Sequence, residues 1–177
     1  MNGRIHSGLW VTKRHVSSVE AFDSPLAGAV GEVADQTVQW FRAPGRAPTV
    51  AWQASAVWPR VDIAVAYAGV DDTAIQAFVA AGAKGIVHAG FGNANTPTAY
   101  RALIQSLPAQ GVLVARCSRW IPGSVTRASV YDDAAHGILT AGPLPPHKVR
   151  IAMMLGLAHG LNGPALQAWI DQILQAG

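Results

Sequence analysis

The side chains best suited to chemistry lie in a polar, glycine-containing loop at residues 89–97, A-G-F-G-N-A-N-T-P. Its glycines allow sharp backbone turns, and the amides of Asn93 and Asn95 can both donate and accept hydrogen bonds. Such a loop suits a small polar ligand. The alternative interpretation is that both asparagines only tolerate turn geometry and cap the next helix, and spacing by itself favours this alternative.

Other candidate groups give weaker signals. Ser118 and Ser124 lie in a second polar loop, residues 118–124, but neither has an adjacent general base, so a serine nucleophile is not supported. Asp132 and Asp133 could be paired carboxylates, although adjacent acids in a loop more often cap a turn. The sequence therefore offers no catalytic group of its own.

Metal and cofactor motifs are not found either. The histidines at positions 88, 136, 147 and 159 are far apart and lack the spacing of metal ligands. Gly90 and Gly92 lack the third glycine of a dinucleotide-binding fingerprint. We therefore expect neither a metal nor a cofactor.

Both polar loops follow predicted strands, in a region where short apolar strands alternate with amphipathic helices. That alternation predicts an α/β fold, a parallel sheet with helices on both faces, from about Val61 to the end. Ligands bind such sheets beyond the carboxyl ends of the strands, where both loops lie. The predicted strands are Val61–Tyr67, Gly85–Ala89, Val112–Ala115 and Gly137–Ala141, and helices begin after Asp71 or Asp72, at Pro97 behind a Thr96 cap, at His147, and at Asn162 or Pro164.

Composition narrows the class of protein. Half of the 177 residues are apolar and 13% are charged, which is typical of a globular protein with a large core. The net charge is only +3, without a basic run interleaved with aromatics, so we expect no nucleic-acid partner. The single cysteine, Cys117, cannot form an internal disulfide, and no apolar run is long enough to cross a membrane.

The first half of the chain follows a different pattern. Tryptophans at 10, 40, 52 and 58 accompany several prolines and glycines, and no strand–helix alternation is present to bury them. Residues 30–58 predict one or two strands followed by a linker. So apolar a segment usually packs against other protein, which suggests that its partners are missing here.

Six segments, in the right order along the chain, resemble the bacterial type II L-asparaginases and glutaminase-asparaginases. The central one, I-V-H-A-G-F-G-N-A-N at 86–95, resembles that family's G-I-V-x-A-G-x-G-N-G-N stretch. Each match alone is weak, and together they are specific. The others are V-T-K at 11–13, F-D-S-P-L-A-G-A-V-G at 22–31, V-A-R-C-S-R-W-I-P-G-S at 114–124, Y-D-D-A-A-H-G at 131–137 and P-L-P-P-H-K-V-R at 143–150.

The resemblance implies a two-domain enzyme, represented here by its C-terminal part. Residues 1–38 would be the end of an incomplete N-terminal domain, 39–60 an interdomain linker, and 61–177 a three-layer C-terminal domain. The family's nucleophilic threonine lies in a T-G-G-T-I motif of the N-terminal domain, with a second threonine, an aspartate and a lysine, and none of these motifs occurs here. The chain should therefore belong to an enzyme that hydrolyses L-asparagine, or L-glutamine, but be inactive alone.

The resemblance also implies which residues touch substrate. Asn95 matches the asparagine that completes a neighbouring subunit's pocket, and Asn93 is the first asparagine of the same motif. Ser129, or Val130 depending on the gap, stands where the family has an acidic residue that holds the substrate ammonium group. Ala94 replaces the family's glycine between the asparagines.

The complete protein is expected to be a homotetramer, periplasmic if a signal peptide was lost upstream and otherwise cytoplasmic. Two alternatives to an inactive enzyme part remain open. One is a non-catalytic amino-acid-binding or regulatory module, and the other is a nonfunctional remnant.

Overall fold

The computed structural model describes residues 1–43, 45–51, 57–120 and 123–176. The chain forms two compact units, Met1–Pro48 with Gln172–Gly177, and Thr49–Asp171. The predicted linker, 39–60, includes positions 44 and 52–56, which lie outside the described residues, as do positions 121 and 122 of the second polar loop. The predicted domain boundaries stay predictions.

The described part of the first unit contains five short strands. β1 (Arg4–Ile5), β4 (Gly31–Ala34) and β5 (Thr37–Trp40) form an antiparallel sheet, and β2 (Thr12–Lys13) pairs with β3 (Phe22–Asp23). Residues 35 and 36 turn β4 into β5 with φ values of 47° and 62°, as a tight two-residue hairpin requires. Trp40 is 54% exposed and Phe41 55%, so this unit presents aromatic surface to solvent.

The second unit is built on a four-stranded parallel sheet of order β6-β7-β8-β9, in which every strand pairs with the next one along the chain. This confirms the predicted α/β fold. The strands are β6 (Val61–Val65), β7 (Gly85–Gly90), β8 (Leu113–Ser118) and β9 (Leu139–Thr140). β8 runs three residues beyond its predicted end, because its parallel pairing with β7 continues to Ser118, opposite Gly90.

Helices cover both faces of this sheet: α1 (Thr73–Ala80) and α2 (Thr98–Ser106) on one, α3 (Pro146–Ala158) on the other. Ile75 of α1 and Ile104 of α2 pack with Ile86 and Val114 of the central strands. On the opposite face α3 approaches so closely that a Cβ on Gly85 would lie 2.8 Å from Met153 Cε. A larger residue at this position would require the end of the Met153 side chain to move.

The last helix, α4 (Gly163–Gln175), packs on α3 at Gly156, where an added Cβ would clash with Leu166. Leu166, Trp169 and Ile170, which recur at helical spacing, are buried. No helix within the described ranges is long and apolar enough to cross a membrane.

The start of α2 differs from the prediction by one residue. Pro97, in an extended conformation, is the N-cap, and Thr98 is the first helical residue. The buried Thr96 does not cap the helix, because its hydroxyl lies 3.3 Å from the Tyr131 hydroxyl instead. The start of α2 is thereby linked to the segment that precedes β9.

Candidate functional site

A tight turn follows β7 and carries both predicted asparagines; we call residues 91–96 the asparagine loop. The Asn95 N–H donates to the Phe91 carbonyl over 2.8 Å, and Gly92 and Ala94 have φ values of 47° and 57°. The loop folds back so closely that a Cβ on Gly90 would lie 2.5 Å from the Ala94 carbonyl carbon. The glycine at position 90 thus allows the turn to return over its own strand.

The structure places Asn95, exposed, on this loop at the carboxyl edge of the sheet. Asn93 is half-buried, and its side-chain carbonyl accepts a hydrogen bond of 2.7 Å from Thr126 N–H. Thr126 belongs to residues 124–131, the Ser129 segment, on which Ser129 is also exposed. Asn93 therefore connects the two polypeptide segments that carry the predicted substrate-binding residues.

A buried ion pair lies beneath these segments. Arg116 is fully buried, and its Nε and Nη2 donate to the two carboxylate oxygens of Asp133 over 2.6 and 2.8 Å. Its Nη1 donates to the Ala94 carbonyl over 3.1 Å. The Tyr131 ring lies 5.0 Å from the guanidinium carbon, a cation–π distance. One guanidinium thus connects the asparagine loop to the chain that follows the Ser129 segment.

The two adjacent aspartates have different roles. Asp132 Oδ1 accepts from the Ala135 N–H over 3.2 Å, as expected for a turn cap. Asp133 is 4% exposed and, besides holding Arg116, accepts from the Ala128 N–H over 2.8 Å. Sequence reasoning missed the pairing of Asp133 with Arg116; the available signal was an arginine inside the apolar strand V-A-R-C.

His88 extends this buried polar layer. It is the register partner of Arg116 in the sheet, is 0% exposed, and its Nδ1 lies 3.4 Å from the Tyr100 hydroxyl. Burial lowers the pKa of His88 to about 4; the nearby Asn95 backbone opposes that fall, and the positive charge of Arg116 adds to it. Burial likewise raises the pKa of Tyr100 to about 12. Both side chains are therefore neutral near pH 7.

The Ser129 segment is also anchored to α4. Arg127 Nε donates to Thr140 Oγ1 over 3.1 Å, and its Nη2 donates to Asp171 over 2.6 Å. Gln167 bonds both the N–H and the carbonyl of Thr140, at 2.8 and 3.0 Å. These contacts fix the segment against β9 and α4, so the exposed Ser129 lies on a supported turn.

One thiol and one hydroxyl near this edge, those of Cys117 and Ser118, are buried. Burial raises the pKa of the Cys117 thiol to about 12. The Ser118 hydroxyl accepts a hydrogen bond of 3.1 Å from the Trp120 N–H, and the residue Ser118 is 8% exposed. No three His, Cys, Asp or Glu residues of the described chain come close enough together to hold a metal ion. Neither the Cys117 thiol nor the Ser118 hydroxyl has a carboxylate or imidazole partner among the described contacts.

Comparison with known proteins bears on both halves of the chain. Residues 60–170 match the glutaminase/asparaginase C-terminal domain, and residues 1–46 match the N-terminal asparaginase domain. The chain is 36% identical to a glutaminase-asparaginase of Pseudomonas fluorescens biotype A, over 94% of this chain and 47% of that protein. It is 31% identical to L-asparaginase 2 of Escherichia coli, over 97% and 51% respectively.

A probable periplasmic L-asparaginase of Haemophilus influenzae is 29% identical over 97% of this chain and 50% of its own length. The chain thus spans about half the length of these curated relatives. The C-terminal domain match alone covers more than half of the chain, and it coincides with the parallel sheet, its helices and both site segments. The chain therefore belongs to the glutaminase/asparaginase family and carries its C-terminal domain.

Proposed function

We propose that this chain is a substrate-binding part of an L-asparaginase and does not hydrolyse amides by itself. The observation that carries the proposal is the position of the exposed Asn95. It lies on a turn held by the hydrogen bond from Arg116 to the Ala94 carbonyl, at the carboxyl edge of the sheet, where α/β proteins bind ligands. The side-chain amide of Asn95 can donate to a substrate carboxylate and accept from its polar hydrogens.

The proposed lack of hydrolysis rests on the chemistry of the attack. Cleaving a side-chain amide needs a hydroxyl or thiol activated by a base within hydrogen-bond reach. Near the site, the hydroxyls of Ser118, Thr96 and Thr140 bond to a backbone N–H, a tyrosine and an arginine, none of which is a general base. Amide hydrolysis by the whole protein would therefore use a nucleophile from outside these residues.

The first unit does contain a serine beside a histidine. Ser24 Oγ lies 2.9 Å from His6 Nδ1, which is a suitable distance for activation. Ser24 is only 2% exposed, however, so its hydroxyl cannot reach a substrate. This pair supports the local structure and does not change the proposal.

L-Asparagine is the proposed ligand, with L-glutamine as the alternative, because relatives with either name match this chain. Ser129, or Val130, in place of an acidic residue leaves the substrate ammonium group without a negative partner there. We therefore propose weak binding even in a complete protein. That protein would be a homotetramer, with Asn93, Asn95 and Ser129 near a pocket shared between subunits.

The test is ammonia release by the purified chain from L-asparagine and L-glutamine, with the L-asparaginase 2 of Escherichia coli as positive control. We expect no release above a blank. Activity that persists through a second purification, at constant activity per milligram, would overturn the proposed dependence on an outside nucleophile.

A non-catalytic amino-acid-binding module is the second candidate, favoured by the hydrogen bonds that order both segments within this chain alone. Calorimetry with asparagine, aspartate and glutamine separates the two functions. Saturable binding by the chain alone that is lost in Asn95→Ala and kept in Asn162→Ala, an exposed asparagine elsewhere, favours the module. Absence of binding by the chain alone favours the first function, in which the chain supplies only part of the substrate-binding site of a larger enzyme.

A further inference from the structure

We propose that Arg116 is a positioning residue that fixes the asparagine loop relative to the Ser129 segment. Arg116 bonds the Ala94 carbonyl directly and reaches the Ala128 N–H through Asp133. The inference rests on the proposed function only for the statement that these two segments bind the substrate. The link between them is a physical coupling that can be measured without a substrate.

The geometry of the guanidinium supports this role. A planar fork with fixed donors can bond both oxygens of one carboxylate and still direct its remaining amino group elsewhere. Arg116 does this, with Asp133 on one side and the Ala94 carbonyl on the other. Since Asp133 Oδ2 also accepts from Ala128 N–H, one continuous path runs from Ala94 to Ala128.

Both ends of this path are in unusual backbone conformations. Ala94 has φ of 57° and Ala128 has φ of 54°, in the left-handed region that residues with a Cβ rarely adopt. Such conformations persist when the surroundings over-determine them. The hydrogen bonds to the Ala94 carbonyl and the Ala128 N–H are suited to hold both alanines in place.

Burial of the pair argues for positioning over stabilisation. Arg116 is 0% exposed and Asp133 is 4% exposed, so both charges have given up most of their hydration. A buried pair of this kind is often no more stabilising than apolar side chains of similar volume. What the pair adds is direction, because its donors and acceptors each have one satisfactory arrangement.

A second, shallower link joins the same two segments. The Asn93 side chain accepts from the Thr126 N–H at the surface, independently of the ion pair below. Loss of this surface bond should loosen the Ser129 segment but leave the Arg116 connection intact. Asn93→Ala is therefore the variant that separates the two links.

Amide hydrogen exchange followed by mass spectrometry on the full chain tests the proposal. Arg116→Lys keeps the charge but cannot bond Asp133 twice and Ala94 as well. We expect exchange about tenfold faster or more in both segments, with peptides of α3 unchanged. The matched control is Arg127→Lys, another carboxylate-paired arginine, which should speed exchange in the Ser129 segment alone.

Two results would overturn the positioning role. One is faster exchange in only one segment of Arg116→Lys, and the other is an equal rise everywhere, including α3, which marks general destabilisation. Ammonia release by the unmodified chain would instead overturn the proposed function and leave the exchange result standing.

A measurement on the unmodified chain keeps the inference testable if Arg116→Lys does not fold. Arg116 Nε–H and Ala128 N–H both donate to Asp133. Hydrogen exchange measured by nuclear magnetic resonance should therefore give the two groups opening equilibrium constants that agree within about a factor of three. Opening of Ala128 more than about tenfold more often than that of Arg116 would show that the path is not continuous.

Discussion

Acid should destabilise the second unit through His88. The imidazole has a pKa of about 4 in the folded chain, against an ordinary value of 6.5, because burial disfavours its charged form. Between these values the unfolded chain binds a proton that the folded chain does not. The contribution of His88 to stability is therefore complete above pH 6.5 and is lost as the pH falls towards 4.

The size of this loss follows from the two pKa values. A full shift of this size is worth about 3 kcal/mol at pH values below both. Between pH 7.5 and pH 5 the free energy of unfolding should fall by about 2 kcal/mol on account of His88 alone. That is a large part of the stability of an ordinary domain.

The assay is urea unfolding at pH 7.5 and pH 5, followed by circular dichroism at 222 nm, which reports helices α1 to α4. His88→Gln removes the titration while leaving an acceptor for the Tyr100 hydroxyl. It should lose about 2 kcal/mol less than the unmodified chain over this pH interval. His159→Gln is the control. Hydrogen bonds to the Leu155 and Ala51 carbonyls raise the pKa of His159, so this histidine does not destabilise the folded chain in acid. The fall in unfolding free energy between pH 7.5 and pH 5 should therefore remain in this variant.

The same fall in stability for the unmodified chain and His88→Gln would refute the reasoning. It would mean that the imidazole is hydrated or charged in the folded chain, and that the polar layer beneath the asparagine loop is open to water.

Further predictions concern the turn, the thiol and the exposed amide. Gly90→Ala should lower the free energy of urea unfolding by about 1–3 kcal/mol, because the added Cβ meets the Ala94 backbone. Gly92→Ala, where the added Cβ meets open space, should lower it only by the strain of a left-handed alanine, about 1–2 kcal/mol. A larger loss for Gly92→Ala than for Gly90→Ala would contradict this order. Cys117, buried and with a pKa of about 12, should react with a thiol reagent only after unfolding, and rapid reaction of the native chain would count against its burial. Asn95→Ala should change the unfolding free energy by less than about 0.5 kcal/mol, because the side chain is exposed; a greater loss would indicate a structural role.

The parallel sheet was predictable because its central strands, β7 and β8, are buried on both faces and appear in the sequence as short, largely apolar runs. The helices were predictable because their apolar residues recur at helical spacing, as with Leu166, Trp169 and Ile170. Their starts were less certain: the Thr96 hydroxyl could act as a cap in the sequence, but in the structure it lies near Tyr131. A local pattern cannot show that a more distant partner competes for the same group.

The candidate site divides in the same way. Asn93 and Asn95 were found from their loop and the family resemblance, and their roles toward a substrate stay predictions. Arg116 and Asp133 are 17 residues apart, and no periodicity relates two positions that meet only when β8 is complete. Buried ion pairs between distant segments are the part of a site that a single sequence conceals best.

The order of strands in the parallel sheet also has a consequence for how this chain is made. Each strand pairs with its successor, so pairing can proceed as the polypeptide leaves the ribosome. The α3 helix, which covers one face of β6, β7 and β8, is synthesised after all four strands. A nascent chain that has reached β9 but not residue 158 therefore exposes an apolar sheet surface, and aggregation during synthesis should be most severe in that interval.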